Sequence, residues 1–252
     1  MNATPEALPA QQLLEAPVDQ DLAGLVIVVA GATGAAGPAL VERLARGGAT
    51  VVAAGSNRER IEGLVAGVTS GMPSGRVHAA VVDLLDERAT REWAALVEQE
   101  HGGVDGMVHL VGGWRGGAGI VEADLDDWNW LQDMLIRTFQ HTSRAFHDPI
   151  RASPRGRVVL ISSVQASAPS ATSASYAAAK AAAEAWALAV ADSFQDSGAA
   201  AVILQITALL TPAMRAAKPD APFAGYTPVD ELADTIHDLW LAPAAELNGH
   251  RL

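Results

Sequence analysis

Apolar residues in this chain follow two rhythms. Largely unbroken apolar runs at 25–30, 50–54, 77–82, 104–111, 158–161 and 200–206 are separated by longer stretches of mixed character. Short unbroken runs rich in valine and isoleucine mark strands buried on both faces, as in a parallel sheet. The stretches between them, at 39–44, 57–68, 87–101, 124–147, 175–197 and 228–241, carry apolar positions at helical spacing. Strand and helix alternating in this way predict an α/β domain with a mostly parallel sheet and helices on both of its faces. Residues 1–20 contain three prolines and little periodicity. They predict an arm outside the domain, which then spans 21–252.

Two stretches carry candidate chemistry. Directly after the first strand comes Gly31-Ala32-Thr33-Gly34-Ala35-Ala36-Gly37-Pro38, followed by a helix. Strand, glycine turn and helix in that order suit a dinucleotide. The glycines let a pyrophosphate approach the backbone, and the free N–H groups of the helix start hold the anion. This narrows the fold to a single Rossmann-type, doubly wound domain. In the second stretch, the strand 158–161 leads to Ser162 and Ser163, and Tyr176 and Lys180 follow on a helix beginning near Ser175. Four residues apart, Tyr176 and Lys180 share a face. The chain has only two tyrosines and two lysines, so their pairing is informative. An ammonium beside a phenol favours the phenolate, so Lys180 is expected to lower the pKa of Tyr176. A serine hydroxyl at the strand end can polarise a carbonyl.

The glycine turn, Ser163 and Tyr176-x-x-x-Lys180 together resemble the short-chain dehydrogenase/reductase family. The resemblance implies hydride transfer between a nicotinamide cofactor and a carbonyl, alcohol or conjugated C=N group. It assigns catalysis to Ser163, Tyr176 and Lys180. It assigns cofactor binding to Gly31, Thr33, Gly34 and Gly37, to Ser56, Asn57 and Arg58, to Asp83 and Leu84, to Gly112 and Gly113, and to Tyr176, Lys180 and Thr211. At the end of the second strand an acid would bind the ribose of NAD, whereas a base accommodates the extra phosphate of NADP. Ser56-Asn57-Arg58 offers no acid, so NADP(H) is favoured and NAD(H) stays possible. Some of these positions have a plainer reading. Arg58 fits a solvated helix start, Asp83 a helix cap before Glu87, and Thr211 a cap before Pro212.

The chain also departs from the family pattern. Ala35 stands where the commoner glycine spacing has glycine. His109-Leu110-Val111-Gly112 replaces Asn-Asn-Ala-Gly, Leu135 falls at the relay asparagine, and Ile206-Thr207 replaces Pro-Gly. His109 reads as a core residue. The run from Gly112 to Gly117 is similar to that of quinonoid dihydropteridine reductases within the same family. Trp114 is then a candidate to stack on a planar substrate or simply to pack beneath the loop. Substrate contacts are assigned to Trp114, Ser163 and Met214, the last within a segment, 212–226, that reads as a lid. Two other functions stay open: a quinonoid pteridine-type reductase, and a non-catalytic cofactor-binding sensor or scaffold.

Composition removes other classes. The formal charge is −12, with 29 acidic against 17 basic residues, which argues against a nucleic-acid surface. There is no cysteine, hence no disulfide or thiolate metal site, and no histidine pair has zinc-like spacing. No metal is expected. No apolar window approaches the length of a membrane span, and the first residues lack the apolar core of a secretion signal. The expectation is a soluble cytoplasmic enzyme of small molecules. By the resemblance it pairs into a homodimer or homotetramer through helices 124–147 and 175–197.

Overall fold

The computed structural model describes residues 21–70 and 75–252. The arm expected at 1–20 lies outside the described residues, as do 71–74 of the loop before the third strand.

Six parallel strands form the sheet: β1 (Val26–Ala30), β2 (Thr50–Gly55), β3 (Val77–Val81), β4 (Gly106–His109), β5 (Arg157–Ser163) and β6 (Ala200–Ile206). Their order is β3-β2-β1-β4-β5-β6. The order reverses between β1 and β4, which opens a crevice at the carboxyl ends of these strands. The connecting helices are α1 (Gly37–Arg46), α2 (Arg58–Thr69) and α3 (Glu87–His101). They are followed by α4 (Leu125–Leu131), α5 (Thr138–Ala145), α6 (His147–Ala152) and α7 (Ala174–Ser193).

The unbroken runs have a direct cause in this architecture. Along β1, Ile27 and Val29 enter one core with Leu40 and Leu44 of α1, whereas Val26, Val28 and Ala30 enter the other with Val97, Phe139 and Ala187. Successive side chains point to opposite faces, and both faces are covered, so no position can be polar. Each fully buried valine, leucine or isoleucine contributes about 1.5–3 kcal/mol relative to exposure.

Two features depart from the expected elements. The helix expected at 124–147 is broken into α4, a π-helical segment Gln132–Arg137, α5 and α6, with the last break at Phe146. The lid segment contains a helix, α8 (Pro212–Ala217), framed by a parallel pair of three-residue strands, β7 (Ala208–Leu210) and β8 (Tyr226–Pro228). Runs that short carry no readable period. Beyond them lie α9 (Val229–Asp238), packed on α1, and α10 (Ala244–Leu247). Beyond α10, Arg251 forms an isolated parallel bridge with Ile203 of β6. Ile203 N–H donates to the His250 carbonyl at 3.0 Å, and Leu252 N–H donates back to Ile203 at 2.9 Å.

Candidate active site

The glycine turn is built for close approach. Gly31 has φ +79°, and a Cβ there would lie 2.8 Å from the backbone nitrogen of Val111, at the end of β4. At Gly37 a Cβ would lie 1.6 Å from the carbonyl oxygen of Ala32, so only glycine lets α1 start against the turn. No side chain caps α1, and its first turn holds no acid. Gly37 N–H donates to the Gly34 carbonyl at 3.1 Å and Pro38 has no N–H, so the helix start offers a phosphate the Ala39 N–H and its positive dipole end. A dinucleotide fits this cradle.

Beside the turn, the structure separates residues that the sequence grouped. Asn57 caps α2, its Oδ1 accepting the Arg60 N–H at 2.9 Å. Arg58 turns outward and pairs with Glu62 at 3.0 Å, the helix-solvating role. The cation that lies on the turn is Arg60, whose Nη2 donates to the Thr33 carbonyl at 2.7 Å. Sequence reading missed it. The available signal was its position one turn into a helix whose cap adjoins the glycine turn. Asp83 does not cap α3; Asp86 does, accepting the Ala89 N–H at 3.0 Å. Asp83 is exposed and accepts the Leu85 N–H at 2.9 Å. Leu84 is buried, and its carbonyl faces Nδ1 of His141 at 2.8 Å. Thr211 does cap α8, accepting the Met214 N–H at 3.2 Å, which leaves its own O–H to donate.

The end of β5 is tied to α7 at two consecutive residues. The Ile161 carbonyl accepts from Lys180 Nζ at 2.8 Å, and Ser162 Oγ donates to Glu184 Oε1 at 2.5 Å. Ser163 Oγ accepts the Gln165 N–H at 3.2 Å and sits beside the Tyr176 phenol. Lys180 Nζ lies 5.9 Å from the centre of the Tyr176 ring. The expected lowering of the Tyr176 pKa is not found. Burial raises it, and the neighbouring Ser163 hydroxyl only partly opposes that rise. The ammonium that was to lower it is instead directed to the Ile161 carbonyl. Burial also brings Lys180 down to about 8, against the opposing charge of Glu184. The site therefore holds Tyr176 as a protonated phenol beside a lysine that titrates near neutrality.

The surroundings of this pair are apolar where an amide was expected. Leu135, in the π-helical segment, is buried with Leu131 and Ala179 and packs near Tyr176. His109 is buried between the Thr138 and Thr142 hydroxyls, each at 3.2 Å. Burial, then the charge of Lys180, bring it to about 3, so it is a neutral bridge from β4 to α5. The 112–117 loop is pinned to the start of α7 by Gly117 N–H donating to the Thr172 carbonyl at 2.8 Å. Gly112 and Gly113 are exposed, and Gly113 lies against the Trp130 ring. Trp114 is 56% exposed, and its ring lies against Gly116 and Gly117 of the loop. Arg115 sits 4.3 Å over the Trp130 ring. Met214 is on α8 and is also exposed.

The family model described as short chain dehydrogenase matches residues 25–222, which include the glycine turn and the Ser163, Tyr176 and Lys180 set. The chain belongs to the short-chain dehydrogenase family. It is 26% identical to the serine 3-dehydrogenase of Rhizobium radiobacter over 225 residues, 86% of this chain and 87% of that protein. It is 29% identical to a short chain dehydrogenase of Pseudocercospora fijiensis over 160 residues, 63% of this chain and about half (51%) of that protein. Among solved structures it is similar to a short chain dehydrogenase of Burkholderia cenocepacia J2315 in complex with NADP. The two share 25% identity and a TM-score of 0.77, over 92% of this chain and 96% of the other. A short-chain dehydrogenase is a nicotinamide-dependent oxidoreductase, and the cradle and the Tyr176 pair described above fit that chemistry. Among the described residues no helix is long and apolar enough to cross a membrane.

Proposed function

We propose that this short-chain dehydrogenase reduces a carbonyl, or a conjugated C=N, on a small molecule, with NADPH as the favoured cofactor and Tyr176 as general acid. The observation that carries the reading is the Tyr176 phenol, kept protonated by burial and set beside Ser163 at the end of β5. The bound nicotinamide supplies the hydride. Ser163 holds the substrate oxygen, and the Tyr176 O–H gives it the proton that completes the alcohol. Lys180, while charged, offers its ammonium to the ribose and stabilises the phenolate left behind. Trp114 and Met214, both exposed, are assigned to the substrate. Screening carbonyls, quinones and quinonoid pterins with NADPH tests the reading, and its expected result is turnover of at least one class. The charge on Lys180 is present below about 8 and lost above it. Reduction is accordingly expected to fall as pH rises through that value, and a rate still climbing well above it would contradict the role given to Lys180.

Support for NADP(H) comes from the end of β2, where Ser56 and Asn57 offer no carboxylate and Arg60 lies on the turn. The relative from Burkholderia cenocepacia, solved with NADP, adds to it. Arg60 is assigned to the 2′-phosphate. Loss of one charge-assisted bond of about 1.5–3 kcal/mol weakens binding roughly ten- to hundredfold. Arg60→Ala is expected to weaken NADPH by that factor and NADH little, and Ser56→Asp to move preference toward NADH. Equal losses for both cofactors would remove the assignment.

The chain is also read as a homodimer or homotetramer. Between α3, α5 and α7 runs an open groove of about 560 Å³, lined by Ala94, Ala145, Trp186, Ala189 and Val190 with Arg144 beside them. A second copy packing its own α5 and α7 here covers these apolar side chains. Sedimentation is expected to show a dimer or tetramer and to show Trp186→Glu dissociated. A monomeric wild type would contradict the pairing.

A further inference from the structure

We propose that Glu184, with Arg251 as its counter-ion, is the positioning residue that keeps Lys180 charged and in register with the end of β5. The proposal rests on the reductase reading for its consequence, and its physical content on the bonds around Glu184 and its place one turn from Lys180. Glu184 is 2% exposed and lies one turn beyond Lys180 on α7. Its Oε1 accepts from Ser162 Oγ at 2.5 Å and from Gln205 Nε2 at 2.8 Å, and its Oε2 accepts from Arg251 Nε at 2.7 Å. Three donors, one of them a guanidinium, satisfy this buried carboxylate. It shares the α7 face of Lys180, four positions away, where the ammonium donates to the Ile161 carbonyl. His109 on β4 is kept neutral, and Tyr176 on α7 is kept as the phenol. Among the described groups, Glu184 is the charged one that favours the ammonium.

Arg251 comes from the segment bridged to β6, 67 positions from Glu184 in the chain. An ammonium on α7 thus depends on a guanidinium carried by a separate edge segment. Removing Arg251 leaves a carboxylate buried with neutral donors only, and such a group raises its pKa and tends to take up a proton. Lys180 then loses its counter-charge. Ser162 belongs to the same arrangement, and through it the strand residue next to Ser163 is fixed to the helix that carries Tyr176.

The chain has only two lysines, Lys180 and Lys218, which makes a direct test possible. Protein labelled with ¹³C at lysine Cε is titrated by NMR, with Lys218→Arg assigning the two signals. In Arg251→Leu and in Glu184→Gln the Lys180 midpoint is expected to fall by about one pH unit, and Arg251→Lys to restore it. The Arg251 side chain is 42% exposed, so this variant remains informative even if Glu184→Gln fails to fold. A folded Arg251→Leu protein with an unmoved Lys180 midpoint overturns the proposal. Cofactor and substrate are absent from the experiment. Failure of the reductase reading therefore appears as lost turnover, and failure of this inference as an unchanged titration.

Discussion

Tyr176→Phe is expected to abolish turnover while leaving cofactor binding in place. The substitution removes one oxygen and keeps the ring, which packs near Leu131, Leu135 and Ala179. What is lost is the proton donor beside Ser163. General acid catalysis of this kind contributes on the order of 10²–10⁴ in rate. The cradle that holds the pyrophosphate lies on β1 and α1, so NADPH affinity should stay within a few-fold. Steady-state rates and a binding titration on the same preparation check both halves. Turnover within tenfold of wild type would remove Tyr176 from the chemistry.

The second large effect is expected from one methyl group. In Gly37→Ala the added Cβ would sit 1.6 Å from the Ala32 carbonyl oxygen, and the atoms in the way are backbone. Neither side can yield by a change of rotamer, so α1 must move off the turn, at a cost of about 1–3 kcal/mol or more. The pyrophosphate site is then lost together with part of the stability. Gly63, inside α2, is the control, because a Cβ there meets nothing within 4 Å. Gly63→Ala should raise stability by about 0.5–1 kcal/mol through helix propensity and leave binding unchanged. Thermal melts with and without NADPH separate the two outcomes. Unimpaired NADPH binding by Gly37→Ala would show that the turn does not hold the cofactor.

Local patterns made much of this molecule legible in advance. The buried runs of β1, β2 and β5 follow from a sheet covered on both faces, and Tyr176 and Lys180 from the period of one helix. Ser163 was legible because the strand end brings it to that helix. What escaped depends on contacts between distant segments. Arg58 and Arg60 are two residues apart and equally basic, and only the turn of α2 decides which of them reaches Thr33. Glu184 reads as one more surface residue of an alanine-rich helix until Arg251 and Ser162 are placed around it. The direction of the Tyr176 shift escaped too, since sequence shows the neighbouring lysine but not the burial that outweighs it. The π-helical turn at Leu135 breaks the helical period by one residue, too little to read within a long apolar pattern.

Binding of a dinucleotide at the glycine turn underlies every role given to the Tyr176 site. It is tested most directly by titrating the protein separately with NADPH and NADH and following its tryptophan fluorescence. Six tryptophans are present, among them Trp114 on the 112–117 loop. The predicted result is saturable quenching by both, tighter for NADPH, with Arg60→Ala removing most of the difference. No saturable response to either cofactor would contradict the account.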